Sequence, residues 1–153
     1  MSKKKTIIEN RKARYNYEIK DKIEAGIVLK GSEIKSIRDG KISLDGTYAG
    51  EKNGEMWIFN LHIDFSNTNK DFDSSLKIRP RKLLLKKKEI RKFSFKVKND
   101  GFTIVPLNIH FNKKGFAKVE LGLSKGRKKS DLREYKKQQD WKREKERLTK
   151  LVK

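Results

Sequence analysis

Glu33-Ile34-Lys35 matches half of a nuclease core by residue type and spacing. Metal-dependent cleavage needs a second acid beside Glu33 to hold the cation. Asp21, Asp71 and Asp73 are the candidates, and none stands at a persuasive spacing. Three-residue matches arise by chance in a chain rich in Lys and Glu, so an Mg²⁺-dependent nuclease is the weaker alternative. The two histidines, His62 and His110, fall out of phase with the apolar alternations around them, Leu61 with Ile63 and Ile109 with Phe111. Both are expected to be plain surface or edge residues rather than bases or ligands. There is no cysteine, no glycine-rich phosphate loop and no G-x-S-x-G, which removes thiolate, disulfide and zinc-finger chemistry. No catalytic residue, metal or cofactor is expected, and the chain reads as a non-enzyme.

The chemistry that remains is charge and stacking. Lys plus Arg number 41 against 20 Asp plus Glu, a net charge of +21 over 153 residues. A self-repelling charge of that size is best explained by a polyanionic partner. Codon bias can favour Lys over Arg, but it does not explain the excess of bases over acids. Trp57, Phe59 and Phe65 could stack on bases, but they alternate with polar residues in a strand pattern and are expected in the core. Trp141 lies in a segment with little core to enter, and base stacking is a fair expectation for it.

Apolar residues make up 34% of the chain and are clustered, enough for one domain with a tail. No window approaches the roughly 18 apolar residues of a membrane span, and the first residues are too short an apolar run for an export signal. A cytoplasmic nucleic-acid binder is the leading class, with a monomer expected. Residues 1–14 read as a basic N-terminal arm, 15–126 as the folded domain and 127–153 as a basic tail.

Within the domain, Tyr15, Tyr17, Ile19, Ala25, Ile27 and Leu29 alternate as a strand. Ser32 is a plausible N-cap for a short helix over about 32–39, stopped by Gly40. Asn53-Gly54 is a hairpin signal, and Trp57, Phe59, Leu61, Ile63 and Phe65 predict one long strand after it. Residues 66–78 read as a long loop. Pro80 suits the first turn of a helix. A helix is expected from about 86, while residues 93–98 fit helix and strand equally well. Val105–Phe111 and Ala117–Leu123 form a second hairpin around Asn112–Gly115. The sum is mainly β: a small antiparallel OB-like barrel of about six strands with two or three short helices. The tail holds 12 Lys or Arg and 5 Asp or Glu. Its thin apolar stripe of Trp141, Leu148 and Val152 predicts a segment that is disordered or conditionally helical.

Literal strings add a resemblance. Asn10-Arg11-Lys12-Ala13-Arg14, then residues 24–41 (EAGIVLKGSEIKSIRDGK), then Arg81-Lys82-Leu83-Leu84-Leu85, Gly101–Leu107 and Lys118–Gly126 stand in order with sensible spacing. Together they resemble the SsrA-binding protein (small protein B) family of bacterial trans-translation, from about residue 10 to the C-terminus. The resemblance implies an OB-like adaptor that makes and breaks no bond. Such an adaptor binds the tRNA-like domain of transfer-messenger RNA and carries it to stalled ribosomes, with the tail entering the empty mRNA channel against small-subunit rRNA.

It also implies RNA contacts at Asn10, Glu24, Leu84 and Lys118. Lys118 can neutralise phosphate, and Asn10 can bond a base edge or a 2′-hydroxyl. Glu24 can accept from base amino groups or take part in a structural ion pair. Leu84 can pack on an unstacked base or in the core. Arg11, Lys12, Arg14, Lys35 and Arg38 would supply the positive field, and Lys128, Lys129, Asp131, Arg133, Lys136, Lys137 and Trp141 the ribosome-binding tail. Two departures stand out: Tyr15 where the family usually has His, and Leu132 in place of a cation after Asp131. A generic OB-type structured-RNA or ribosome-assembly protein is the second alternative.

Overall fold

The computed structural model describes residues 5–64, 74–127 and 129–151. Among them the chain runs β1 (Lys5–Glu9), α1 (Arg11–Asn16), β2 (Tyr17–Ile27), α2 (Gly31–Arg38), β3 (Ile42–Ser43), β4 (Tyr48–Lys52) and β5 (Glu55–Phe59). It continues through β6 (His62–Ile63), a 3-10 turn (Ser74–Ile78), β7 (Arg81–Leu84), α3 (Lys87–Asp100), β8 (Thr103–Phe111), β9 (Ala117–Gly126) and α4 (Lys129–Leu151). The fold is mainly antiparallel β with four α-helices, more elements than the sequence predicts. Seven strands form one sheet in the order β1-β8-β4-β5-β7-β2-β9, with β8 also paired to β9; β3 and β6 pair separately.

The main core lies under this sheet. Ile37 of α2 and Ile90 and Phe93 of α3 meet Met56, Ile58, Leu83, Val119 and Leu121 of the strands. Residues 93–98 are helical, as the stripe of Ile90, Phe93 and Val97 allows. Gly101 ends α3 at φ 69°, a conformation that side chains resist.

Four expectations change. Residues 5–14 of the basic arm are not a bare extension: β1 pairs with β8, and residues from Arg11 onward are helical. Arg81–Leu84 is a strand, so Pro80 precedes a strand and not a helix. The long strand over 57–65 is broken at Asn60, whose φ is 61°; β5 stays in the large sheet and β6 leaves for β3. The break also reverses the phase, so Met56 and Ile58 enter the core with Leu61 and Ile63. Trp57 and Phe59 turn to the other face, half-buried, and Phe59 stacks on Tyr48 at 5.3 Å. Phe65 lies outside the described residues.

The same kind of switch occurs in β8, where a register shift between Pro106 and Asn108 divides the strand. Val105 and Leu107 pack with Ala13 of α1 in a second small core, whereas Ile109 and Phe111 enter the main one. A proline brings no amide proton to a ladder, and such positions favour bulges. α2 begins one residue earlier than expected. Lys30, not Ser32, precedes it, and the Lys30 amide donates to Glu33 Oε1 at 2.8 Å.

Candidate nucleic-acid interface

Antiparallel register places directly opposed residues on one face of a sheet. Asn108 pairs with Glu120, and Glu120 with Glu24; His110 pairs with Lys118, Lys118 with Gly26, and Gly26 with Leu84. Two adjacent rows across β8, β9, β2 and β7 therefore bring Glu24, Leu84 and Lys118 to one face. Leu84 is 54% exposed while its neighbour Leu83 is buried, so the core alternative for Leu84 falls away. Gly26 makes the approach possible. A Cβ there would lie 3.2 Å from Leu84 Cβ and 3.5 Å from Lys118 Nζ, so both side chains close over bare backbone. With Lys86 and Lys87 at the start of α3, these residues line a groove of about 590 Å³.

His110 belongs to this face, contrary to the expectation of a plain surface or edge residue. It is 3% exposed. Its Nδ1 lies 2.8 Å from Asn108 Oδ1 and its Nε2 2.5 Å from Glu24 Oε1. Asn108 Nδ2 donates to Glu120 Oε2 at 3.4 Å. His110 stands out of phase with Ile109 and Phe111, as alternation requires, but β8 pairs with β1 on one side and β9 on the other, and the face it shares with Asn108 is buried too. His62, by contrast, is exposed.

Asn10 is placed differently from a base contact. It is 7% exposed, its Oδ1 accepts from the Ala13 amide at 3.1 Å, and its Nδ2 donates to the Pro106 carbonyl at 2.8 Å. It is the N-cap of α1 and ties that helix to the β8 bulge. Arg11 and Lys12 are exposed on α1, Lys12 reaching Asp45 at 3.3 Å, and Arg14 is half-buried. Lys35 and Arg38 lie on the exposed side of α2, where the Arg38 guanidinium stands 5.0 Å from the Phe111 ring centroid. These cations are spread over two helices rather than gathered in the groove.

Glu33 and Lys35 are not a cleavage pair. Glu33 is buried and accepts from Arg79 Nη2 at 2.5 Å and Arg81 Nε at 2.6 Å. Burial by itself raises the Glu33 carboxyl; the Lys30 amide and both guanidinium groups outweigh it and hold it below the usual carboxylate range. Arg81, 0% exposed, also donates to the carbonyl oxygens of Leu61 and Lys77. Of the acids considered as partners, Asp21 is paired with Lys92; Asp71 and Asp73 lie outside the described residues. Among the described residues no group of three or more His, Asp or Glu could hold a metal ion.

The tail forms α4. Leu132, Tyr135 and Gln139 are half-buried, and a pocket between α1 and α4 is lined by Arg11, Arg14, Tyr15, Tyr135 and Gln139. Tyr15, the departure from the family pattern, meets Tyr135 edge to face at 5.8 Å. Arg127 stacks over Tyr135 at 4.3 Å. Leu132, the second departure, lies on the half-buried side of α4. Arg133, Lys136 and Lys137 are exposed, and Trp141 is 72% exposed. Lys128 and the side chains of Lys129 and Asp131 lie outside the described residues.

Sequence reasoning missed His110, Asn108, Glu120, Gly26 and Tyr135. For Asn108 and His110 the usable signal was a pair of polar residues two apart within an apolar strand, and for Glu120 a carboxylate within the next one. For Gly26 it was a glycine inside a strand pattern.

The model of the family described as SmpB protein matches residues 7–151. The SsrA-binding protein of Ehrlichia canis is 52% identical over 144 residues, covering 93% of this chain and 95% of that one. That of Azorhizobium caulinodans is 47% identical, covering 95% and 90%. A solved structure described as "tmRNA-SmpB: a journey to the center of the bacterial ribosome" contains a chain 42% identical to this one, with a TM-score of 0.66 over 84% of this chain and 93% of that chain. With the family model matching residues 7–151 and relatives of this identity aligned over nearly their whole length, the chain belongs to the SmpB protein family.

Proposed function

We propose that this protein is the RNA-binding adaptor of trans-translation in its cell. It binds the tRNA-like domain of transfer-messenger RNA and delivers it to stalled ribosomes, where α4 occupies the empty mRNA channel. The observation that carries this reading is the convergence of Glu24, Leu84 and Lys118. They are scattered over the sequence, yet they meet around the bare backbone of Gly26. That face offers an RNA three kinds of contact: a carboxylate for base amino groups, an apolar side chain for an unstacked base and an ammonium for phosphate. Asn10 acts one step back, as the cap that orients Arg11 and Arg14. The large sheet is read as OB-like, supported by strand pairings that lead from β8 through β4, β5, β7, β2 and β9 back to β8.

The exposed cations of α4, with Trp141 for stacking, fit small-subunit rRNA. The chain works as a cytoplasmic monomer and needs no cofactor. No helix among the described residues is long and apolar enough to cross a membrane.

Competition binding tests the reading. Labelled tRNA-like domain is challenged with ordinary tRNA, a hairpin of equal length and single strands, over a salt series. The tRNA-like domain is expected to compete alone, with its preference surviving raised salt. Competition by every RNA according to length, fading together with salt, would make the protein a generic structured-RNA binder.

A further inference from the structure

The face that carries Glu24, Leu84 and Lys118 does not end at Gly26. The pairing of Gly26 with Lys118, continued by two residues, sets Val28 opposite Phe116. The Val28 amide donates to the Lys82 carbonyl at 3.0 Å, which carries the ladder on to β7. Phe116, Val28 and Lys82 therefore form a third row on the same face. This row brings an apolar patch: Val28 is 47% exposed, Leu84 54% and Phe116 63%. Single exposed apolar side chains are ordinary, but a contiguous patch marks a contact surface.

Leu84 is a wall of two chambers. The groove of about 590 Å³ on one side holds carboxylates together with Lys82, Lys86, Lys87 and Lys118. The chamber on the other side, of about 300 Å³, is lined by Val28, Leu29, Ile34, Leu84 and Phe116. Lys118 is the only ionisable side chain among the described residues that line it. Gly26, Leu84 and Lys118 belong to both chambers, so a ligand in one lies against the other.

The backbone that presents Phe116 is fixed by the turn between β8 and β9. Asn112 Oδ1 accepts from the amides of Lys114 at 3.1 Å and Phe116 at 2.9 Å. The Gly115 amide donates to the Asn112 carbonyl at 3.0 Å, and Gly115 takes a φ of 83°. A ring held on such a backbone has little left to order when it stacks. Cations flank it. Lys113 and Lys114 are exposed on the same turn, and Arg38 Nη2 would lie 3.8 Å from a Cβ at Gly115. An exposed ring among cations suits an unstacked base and its phosphate.

We propose that Phe116, Val28 and Leu84 seat one unstacked base of the bound RNA, beside the nucleotide held by Glu24 and Lys118. The proposal rests on the reading of that groove as an RNA site and adds a second position to it. The base lies on the Phe116 ring, Val28 and Leu84 close its edges, and Lys118 at the shared wall meets the phosphate between the two nucleotides. An apolar lining takes the face of any base, so the chamber selects for an unpaired nucleotide rather than for a sequence.

The test measures affinity for the tRNA-like domain in the full chain and in F116A, F116L, F116W, E24Q and F95A. Phe116 is exposed, so its truncation leaves the core intact; Phe95 is an exposed ring on α3 outside both chambers. F116A is expected to weaken binding about tenfold, at an unchanged salt slope because no charge is lost. F116W and F95A should bind as wild type does, and F116L should stay weak. Replacing the unpaired nucleotides of the RNA one at a time by abasic ones should reveal a position at which F116A costs nothing further. Affinity of F116A within about twofold of wild type, full affinity of F116L, or the absence of a coupled position overturns the proposal. Self-association in sedimentation velocity that F116A removes, with RNA affinity unchanged, would assign the patch to a second copy of the chain instead. Weak E24Q with intact F116A removes only the seat at Phe116. Full affinity of both variants overturns the reading of the groove as well.

Discussion

The sheet face and the tail helix carry cations for the same kind of partner, but they are built differently. On the sheet, Lys118 stands in a row with His110, Gly26 and Leu84, and Glu24 is tied to His110. On α4, among the described side chains, only Leu132, Tyr135 and Gln139 are half-buried, and residues 140–150 are exposed. Contacts held in place by neighbours can discriminate between RNA shapes, because little is left to order on binding. Cations on an exposed helix chiefly supply charge and reach. Under the proposed function, this difference would give selectivity to the sheet and ribosome engagement to the tail.

Removing residues 130–153 breaks the comparison most directly. Ribosome rescue is expected to be abolished, while affinity for free tRNA-like domain stays within about twofold, since the groove is built from β2, β7, β9 and the start of α3. Rescue in a reconstituted translation reaction and binding of the isolated domain read the two sides. Loss of both together would show that the two regions act as one surface.

The footing of the fold around α2 gives the next largest effect. Arg81→Met leaves the buried Glu33 with only the half-exposed Arg79 as a guanidinium partner. Breaking a buried pair on one side costs about 3–5 kcal/mol, to be measured by urea unfolding. Acid should weaken the same region. Because Glu33 is held below the usual carboxylate range, its contribution is complete above about pH 4.3. It is lost as pH falls through the lower folded value. Glu33→Gln should remove that part of the acid dependence, and an unchanged acid limb in the variant would refute the assignment.

Much of this was legible in advance, and the failures share causes. The second hairpin, the helix through Ile90 and Phe93 and the basic character of the tail follow from periodicity and composition. Trp57 and Phe59 were placed in the core because alternation was carried through Asn60, where a positive φ reverses the phase. His110 is out of phase with Ile109 and Phe111 as alternation requires, but the opposite face, which it shares with Asn108, is enclosed as well, and alternation says nothing about that. A period-two pattern holds only between irregularities, and a bulge flips every residue beyond it. Glu33 and Arg81 were hidden for another reason. Forty-eight residues apart, they form a long-range pair that no local pattern marks. The groove was named by resemblance, and spacing alone would not have joined Leu84 to Lys118.

Lys118→Ala and Lys136→Ala sharpen the comparison with the smallest change, because each removes one cation and leaves the net charge equal. If charge alone governed binding, the two variants would behave alike: each would lower the salt slope by about 0.7–0.9 for whichever RNA is tested. The sheet geometry predicts otherwise. Lys118 is fixed between His110 and Leu84, so its loss should weaken binding of the tRNA-like domain by roughly 1–2 kcal/mol. The preference over ordinary tRNA should narrow with it. Lys136 is exposed on α4. Its loss should leave that preference intact and appear only as a shallower salt dependence of ribosome binding. Titrations of both variants against the tRNA-like domain, ordinary tRNA and ribosomes at two salt concentrations decide between position and charge.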